Sequence, residues 1–264
     1  MQSETTLQID VDARGVATLA LARPAKHNAM SAQMIAELTA AADRLGRDPG
    51  VRVIVLTGQG RSFCAGGDLG WMQAQMRADA ATRAREATAL ARMLQAINTC
   101  PRPVIGRVQG NAFGGGVGLI SVCDVAVASR EVKLGLTETR LGLIPATIGP
   151  YVIARMGEAK ARRVFMSARV FGAQEAVDLD LLARAVEPDG LDAAVEAELV
   201  PYLNVAPGAV AEAKALARRL GPVIDEGVIA ETIEALVRRW ESKEAAEGIA
   251  AFFERRKAPW EGNG

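Results

Sequence analysis

The chain opens with two short stretches of alternating polarity. Leu7-Gln8-Ile9-Asp10-Val11 alternates apolar and polar residues, the period of a strand with one buried face. Val16-Ala17-Thr18-Leu19-Ala20-Leu21 follows across Gly15, so the pair predicts a β-hairpin. The period then lengthens. Ser31 is placed to cap a helix whose apolar stripe is Met34, Leu38 and Ala41 or Ala42. Val51 to Leu56 is apolar except for Arg52, the pattern of a strand buried on both faces of a parallel sheet. Val104 to Val108 and Val125 to Ala128 repeat that pattern. Strands separated by helical segments predict crossover units and an α/β core over the first half of the chain.

After about residue 145 the pattern turns helical. Segments 158–168, 190–200, 208–220 and 225–256 show helical periodicity, and Pro207 sits at the first turn of one of them. In the last segment Ile229, Ile233, Leu236 and Val237 recur at spacings of three and four. Such helices need an apolar partner surface, either the chain's own core or another subunit.

Composition removes several function classes. Among 264 residues, Lys plus Arg number 31 and Asp plus Glu 31, so the formal charge is zero. That argues against a nucleic-acid partner held by bulk charge. Hydrophobic residues make up 50%, which excludes a disordered chain, and aromatics only 4%, which leaves the core to Ala, Val, Leu and Ile. Cys64, Cys100 and Cys123 are odd in number and lack CxxC spacing, so neither a disulfide framework nor a zinc site is expected. The opening Met1-Gln2-Ser3-Glu4 is polar, and no apolar run reaches the ~18 residues of a membrane span. The expectation is a cytoplasmic protein with no membrane partner.

Familiar catalytic motifs fail in turn. The third glycine position of a dinucleotide fingerprint is Phe63 after Gly58-Gln59-Gly60, and Leu119 after Gly114-Gly115-Gly116. There is no GK[ST] phosphate loop and no GxSxG elbow. His27 is the sole histidine and reads as a surface residue of a polar loop, which leaves little material for a His-based triad or metal site. Arg44, Arg47 and Arg52 alternate with Asp43 and Asp48 and read as a solvated face. Carboxylates and backbone dipoles are the tools that remain. Two glycine-rich loops each follow a buried strand: Ser62-Phe63-Cys64-Ala65-Gly66-Gly67-Asp68-Leu69, and Gly110 through Leu119 with Gly114-Gly115-Gly116 at its centre. Glycine allows close backbone approach and positive φ, and a turn entering a helix aims free N–H groups outward. One N–H from each loop could flank a single oxygen as an oxyanion hole. Spacing alone leaves that reading and two plain strand–helix turns both open. Asp68 reads as a cap of the following helix, Cys64 and Cys123 as small buried fillers, and Asp124 as a loop anchor.

These loops, with Pro103-Val104-Ile105, Cys123-Asp124, Glu138-Thr139-Arg140-Leu141-Gly142-Leu143-Ile144-Pro145 and Ala250-Ala251-Phe252-Phe253-Glu254-Arg255-Arg256, resemble the enoyl-CoA hydratase/isomerase (crotonase) family over nearly the whole chain. The resemblance implies an α/β fold, a crotonase-like spiral of ββα units with a helical C-terminal trimerisation region. It divides the chain into a spiral core with the acyl-CoA site at 1–200 and a helical region at 201–264. It implies an acyl-CoA substrate, no cofactor and no metal, and a homotrimer or homohexamer. It assigns the oxyanion amides to Gly67 and Gly115, the acid/base to Glu138, and contacts with CoA or the acyl group to Ala65, Gly66, Gly114, Lys26 and Trp71. Trp71 and Met72 could equally be core.

Two departures bear on the reaction. Hydratases of this family typically carry two glutamates, and the position of the first is Gly118 here. Beyond Pro145 the chain reads Ala146-Thr147-Ile148-Gly149-Pro150-Tyr151-Val152, which looks like bacterial 3-methylglutaconyl-CoA hydratases of leucine degradation. The expected reaction is addition of water across the 2,3 double bond of a branched glutaconyl-type CoA. The alternative is an enoyl-CoA isomerase or another enolate-forming enzyme that uses one glutamate. Arg140 is a candidate for a substrate carboxylate by its nearness to Glu138. The alternative for Glu138 itself is a solvated helix-start residue beside Arg140.

Overall fold

The computed structural model describes residues 5–262, so the polar opening Met1–Glu4 lies outside the described residues. Strands β1 (Leu7–Val11) and β2 (Val16–Leu21) form the expected hairpin, with Leu7 opposite Leu21. Gly15 makes the turn at φ +82°, a conformation that favours glycine. Helix α1 (Ala32–Arg47) starts where Ser31 accepts the Met34 N–H, and it buries Met34, Leu38, Ala41 and Ala42.

Three ββα units follow. β3 (Val53–Gly58) and β4 (Ser62–Cys64) lead to α2 (Leu69–Arg77) and α3 (Ala80–Thr99). β5 (Val104–Val108) and β6 (Asn111–Phe113) lead to α4 (Gly115–Ser121). β7 (Val125–Ser129) and β8 (Lys133–Gly135) lead to a 3-10 turn, Glu138–Leu141. Then come α5 (Gly149–Met156), α6 (Glu158–Phe165), β9 (Val170–Gly172), α7 (Ala173–Asp178) and β10 (Arg184–Val186). The chain finishes with α8 (Leu191–Leu203), α9 (Pro207–Leu220), α10 (Glu226–Trp240) and α11 (Lys243–Glu254). The first strand of each unit joins a sheet of order β1-β2-β3-β5-β7-β10, and the second joins a smaller sheet, β4-β6-β8-β9. This is the spiral of ββα units with a helical C-terminal region.

Differences from the sequence reading are local. β3 begins at Val53, because Val51 closes a turn onto the Asp48 carbonyl. The 225–256 segment is two helices, since Ser242 caps α11 through the Ala245 N–H at 3.1 Å. The 158–168 segment ends its helix at Phe165, and β9 and β10 are too short to show a period. Arg52 does not lie on a solvated face. Its Nη2 donates to the Val205 carbonyl at 2.7 Å and to that of Tyr202 at 3.3 Å, closing carbonyls left open at the C-terminal end of α8.

The C-terminal helices find their apolar partner on the same chain. α8, which contains residue 200, packs Leu191, Val195 and Leu199 against Val53, Ile105 and Val127 of the large sheet. α10 lays Ile229 and Ile233 on Ala87 and Ala91 of α3, and Trp240, Ala245 and Ile249 enclose Leu143. α9 buries no residue and is tied on by polar contacts. Lys214 donates to Asp124 Oδ2 at 2.7 Å and to the Arg102 carbonyl at 3.1 Å, while Asp124 also accepts the Val104 N–H at 2.7 Å. Cys64 and Cys123 are filler: both are fully buried, and burial pushes each thiol up to about 12. Among the described residues no helix is long and apolar enough to cross a membrane.

Replacing Asp124 by Ala would leave a largely buried ammonium without its counter-charge and a strand N–H without its acceptor. We expect Asp124→Ala to cost roughly 2–4 kcal/mol in urea unfolding. A loss below about 0.5 kcal/mol, the range of ordinary surface changes, would show that this anchor does not matter.

Candidate active site

The small sheet builds the site. β4, β6 and β8 are parallel neighbours, with Cys64 beside Ala112 and Ala112 beside Leu134. Parallel strands end on one side, so the residues just past each strand meet at one edge. Those are Ala65-Gly66-Gly67, Gly114-Gly115 and Thr137-Glu138.

Glycine is what lets the first two loops interlock. Gly66 has φ +90°, and a Cβ there would stand 2.9 Å from the Phe113 carbonyl oxygen. A Cβ at Gly116 would collide with the Cys64 carbonyl. The flanking amides are spent on the scaffold. Met30 N–H donates to the Gly66 carbonyl at 2.8 Å, Asp68 N–H to that of Met30 at 3.0 Å, and Gly114 N–H to that of Gly135 at 2.9 Å. The N–H groups of Gly67 and Gly115 make no hydrogen bond with the described residues.

Both amides front a cavity of about 510 Å³. Ala65, Gly66, Gly67, Trp71, Gly114, Gly115 and Glu138 all line it, so the structure brings together every expected site residue except Lys26. Lys26 ends an exposed 3-10 turn whose neighbour His27 accepts the Ala65 N–H at 3.0 Å; it stands outside the wall. His27 is exposed and its Nδ1 meets Ser62 Oγ at 2.9 Å, away from the cavity. Asp68 caps α2 through the Gly70 and Trp71 N–H groups and pairs with Arg23 at 2.9 Å. Partial burial raises its carboxyl, but the Arg23 and amide hydrogen bonds outweigh that and hold it below the usual carboxylate range.

Glu138 behaves in the opposite way. The residue as a whole is half-buried, but its Oε2 is buried and has no hydrogen-bond partner. Its Oε1 lies 3.0 Å from where a Cβ of Gly114 would be, so the carboxyl hangs over the second glycine loop. Burial pushes its pKa up to about 7, and a hydrogen bond to its own backbone offsets this only in part. Arg140 forms no ion pair with it; Arg140 is exposed and points its Nη2 at the Ala168 carbonyl, 3.5 Å away. The solvated alternative for Glu138 therefore fails at the carboxyl. Among the described residues no cluster of His, Cys, Asp or Glu could hold a metal ion.

Sequence reasoning missed several walls. Met30 presses its methyl onto Gly115, and Leu236, Trp240 and Phe252 close the cavity from α10 and α11. At Gly118 a Cβ would stand 2.5 Å from Ile148 Cγ2, so Ile148 fills the space beside that glycine. Glycine runs are visible in one dimension; packing between distant segments is not.

A model of the enoyl-CoA hydratase/isomerase family matches residues 12–263. The chain belongs to the enoyl-CoA hydratase/isomerase family. It is 33% identical over 253 residues to a Mycobacterium tuberculosis protein described as a probable enoyl-CoA hydratase, covering 95% of this chain and 96% of that one. A crystal structure of an enoyl-CoA hydratase from Shewanella pealeana superposes with a TM-score of 0.80 at 37% identity, covering 98% of this chain and 97% of that one. One from Mycobacterium smegmatis gives 0.79 at 33%, covering 97% and 99%. The fold is thus the crotonase fold, and the chain is an enzyme of a family whose relatives are named for hydro-lyase activity on enoyl-CoA.

For this hydratase/isomerase family member the raised Glu138 pKa has a consequence for stability. The folded protein holds that proton up to about pH 7, whereas an unfolded glutamate releases it near 4.5. Between those values the folded state binds more protons, so its stability falls as pH rises through the window. Glu138→Gln removes this penalty. In urea unfolding the variant should gain on the parent from pH 4 to pH 8, by up to about 3 kcal/mol. A difference that does not change with pH would mean the carboxyl is not buried.

Proposed function

We propose that the enzyme hydrates a 2-enoyl-CoA with the Gly67 and Gly115 amides on the thioester oxygen and Glu138 as the single proton carrier. The observation that carries this is a carboxyl with one buried, unpartnered oxygen, set at one cavity edge with two unpartnered amides. Water attacks C3 and gives a proton to the Glu138 carboxylate. The π electron pair moves toward the thioester, where the two amides stabilise the enolate oxygen. Glu138 then returns the proton to C2. A carboxyl near pKa 7 suits both steps, since it takes and gives a proton at similar cost.

The finer reading of the substrate is a branched glutaconyl-type CoA such as 3-methylglutaconyl-CoA. Arg140 supports it: it is the one cation on the cavity wall among the described residues and has no ion-pair partner. A carboxylate at the far end of the acyl group would supply one. A second reading, isomerisation of a 3-enoyl thioester, is favoured by the absence of a second acid at Gly118, since one carboxylate suffices to move a proton from C2 to C4. We also read the assembly as a homotrimer or homohexamer in the cytoplasm, with Leu216, Leu220 and Val223 left exposed on a single chain. Lys26, immediately before His27, whose carbonyl accepts the Ala65 N–H, is read as a contact for CoA.

Glu138→Gln should lower kcat for hydration by roughly 100- to 10,000-fold and leave CoA product affinity within about threefold. In the parent, kcat/KM should rise with pH about a midpoint near 7, because the base form is the active one. A midpoint near 4.5, or a variant with full rate, removes Glu138 from the chemistry. Arg140→Leu should raise KM for the dicarboxylic thioester about 10-fold or more and leave crotonyl-CoA within about twofold. Equal effects on both substrates would rule out the charge pairing.

A further inference from the structure

Resting on the hydration reading of Glu138, we propose that Thr147 holds the attacking water, its hydroxyl accepting the hydrogen that Glu138 does not take. A water bound to one carboxylate alone can rotate, and its lone pair then points at C3 only part of the time. A second acceptor fixes it. With Gly118 closed off by Ile148, the α4 side of the cavity offers no such group.

Thr147 is placed to supply one. It lines the same cavity as Glu138, is 6% exposed, and its hydroxyl makes no hydrogen bond with the described residues. A hydroxyl on an apolar wall with no protein partner is a natural anchor for a bound water. Its position is fixed from both sides. Ile148, 3% exposed, packs directly on Gly118, and the Gly149 N–H closes a turn on the Ala146 carbonyl at 3.0 Å. The same side chain that excludes a group at Gly118 therefore sets the neighbouring hydroxyl. Thr137 also lines the cavity, but it is half-buried and less shielded from solvent than Thr147.

In the step itself the water oxygen bonds to C3, one hydrogen passes to Glu138, and the other stays on the oxygen as the new hydroxyl, still held by Thr147. No further reactant is needed. Thr147 exchanges no proton, so the titration that governs the rate remains that of Glu138.

The test compares Thr147→Val, which keeps the shape and loses the hydroxyl, with Thr147→Ser, which keeps the hydroxyl. Crotonyl-CoA hydration is followed across pH, with circular dichroism confirming the fold. Thr147→Val should lose about 10- to 100-fold in kcat, with KM within about threefold and the pH midpoint still near 7. Thr147→Ser should recover to within about fivefold of the parent. The proposal is overturned if Thr147→Val keeps more than half the parental rate, if its pH midpoint moves, or if Thr147→Ser is as slow as the valine variant. Should Glu138→Gln hydrate at the parental rate, the reading beneath it fails instead, whatever Thr147→Val does.

Discussion

Three short parallel strands decide where the chemistry can be. β4, β6 and β8 contribute three residues each, too few to make a stable sheet by themselves. They are held because each is the second strand of a ββα unit whose first strand is locked in the large parallel sheet. Their common direction brings two glycine loops and one glutamate to a single edge. The loops approach closely only because Gly66 and Gly116 lack side chains where each meets the other loop's backbone. The neighbouring amides of Asp68 and Gly114 are taken by the Met30 and Gly135 carbonyls, which leaves those of Gly67 and Gly115 over.

The electrostatics follow from the same packing. An acid pushed to about 7 and two free N–H groups form a site that favours a negative oxygen at one point and a neutral carboxyl at another. Asp68, two positions from Gly66, is driven the other way by Arg23 and by the helix it caps. Two carboxyls, each beside a glycine loop, thus differ in role because one has an arginine and two amides as partners and the other has a buried oxygen with none. The mostly apolar wall around Glu138 keeps water scarce, which strengthens every charge interaction inside. It also makes the few polar groups on that wall, Thr147 among them, the ones to watch.

How much of this was legible beforehand depends on distance along the chain. The cap at Ser31, the stripe of α1, and the hairpin are decided by residues within one or two turns, and they read directly. The glycine loops were visible as motifs, because chemistry that uses backbone needs glycine at fixed places, and Glu138 was singled out through the family resemblance. Arg52 was misread because its partners, the carbonyls of Tyr202 and Val205, are about 150 positions away. Ile148 over Gly118, Met30 on Gly115, and the roof of Leu236, Trp240 and Phe252 are likewise products of the tertiary fold. Their residue types look like ordinary core, and nothing in their spacing tells which wall they form. β9 and β10 escaped for a different reason, since three residues cannot show a period.

The direct test is a crystal structure of the Glu138→Gln variant with an unreacted 2-enoyl-CoA in place. The quantities to read are the distances from the Gly67 and Gly115 nitrogens to the thioester oxygen. Both should fall within about 2.7–3.2 Å, with the side chain at 138 facing C2. A thioester oxygen turned to solvent, or bound to neither nitrogen, would contradict the account.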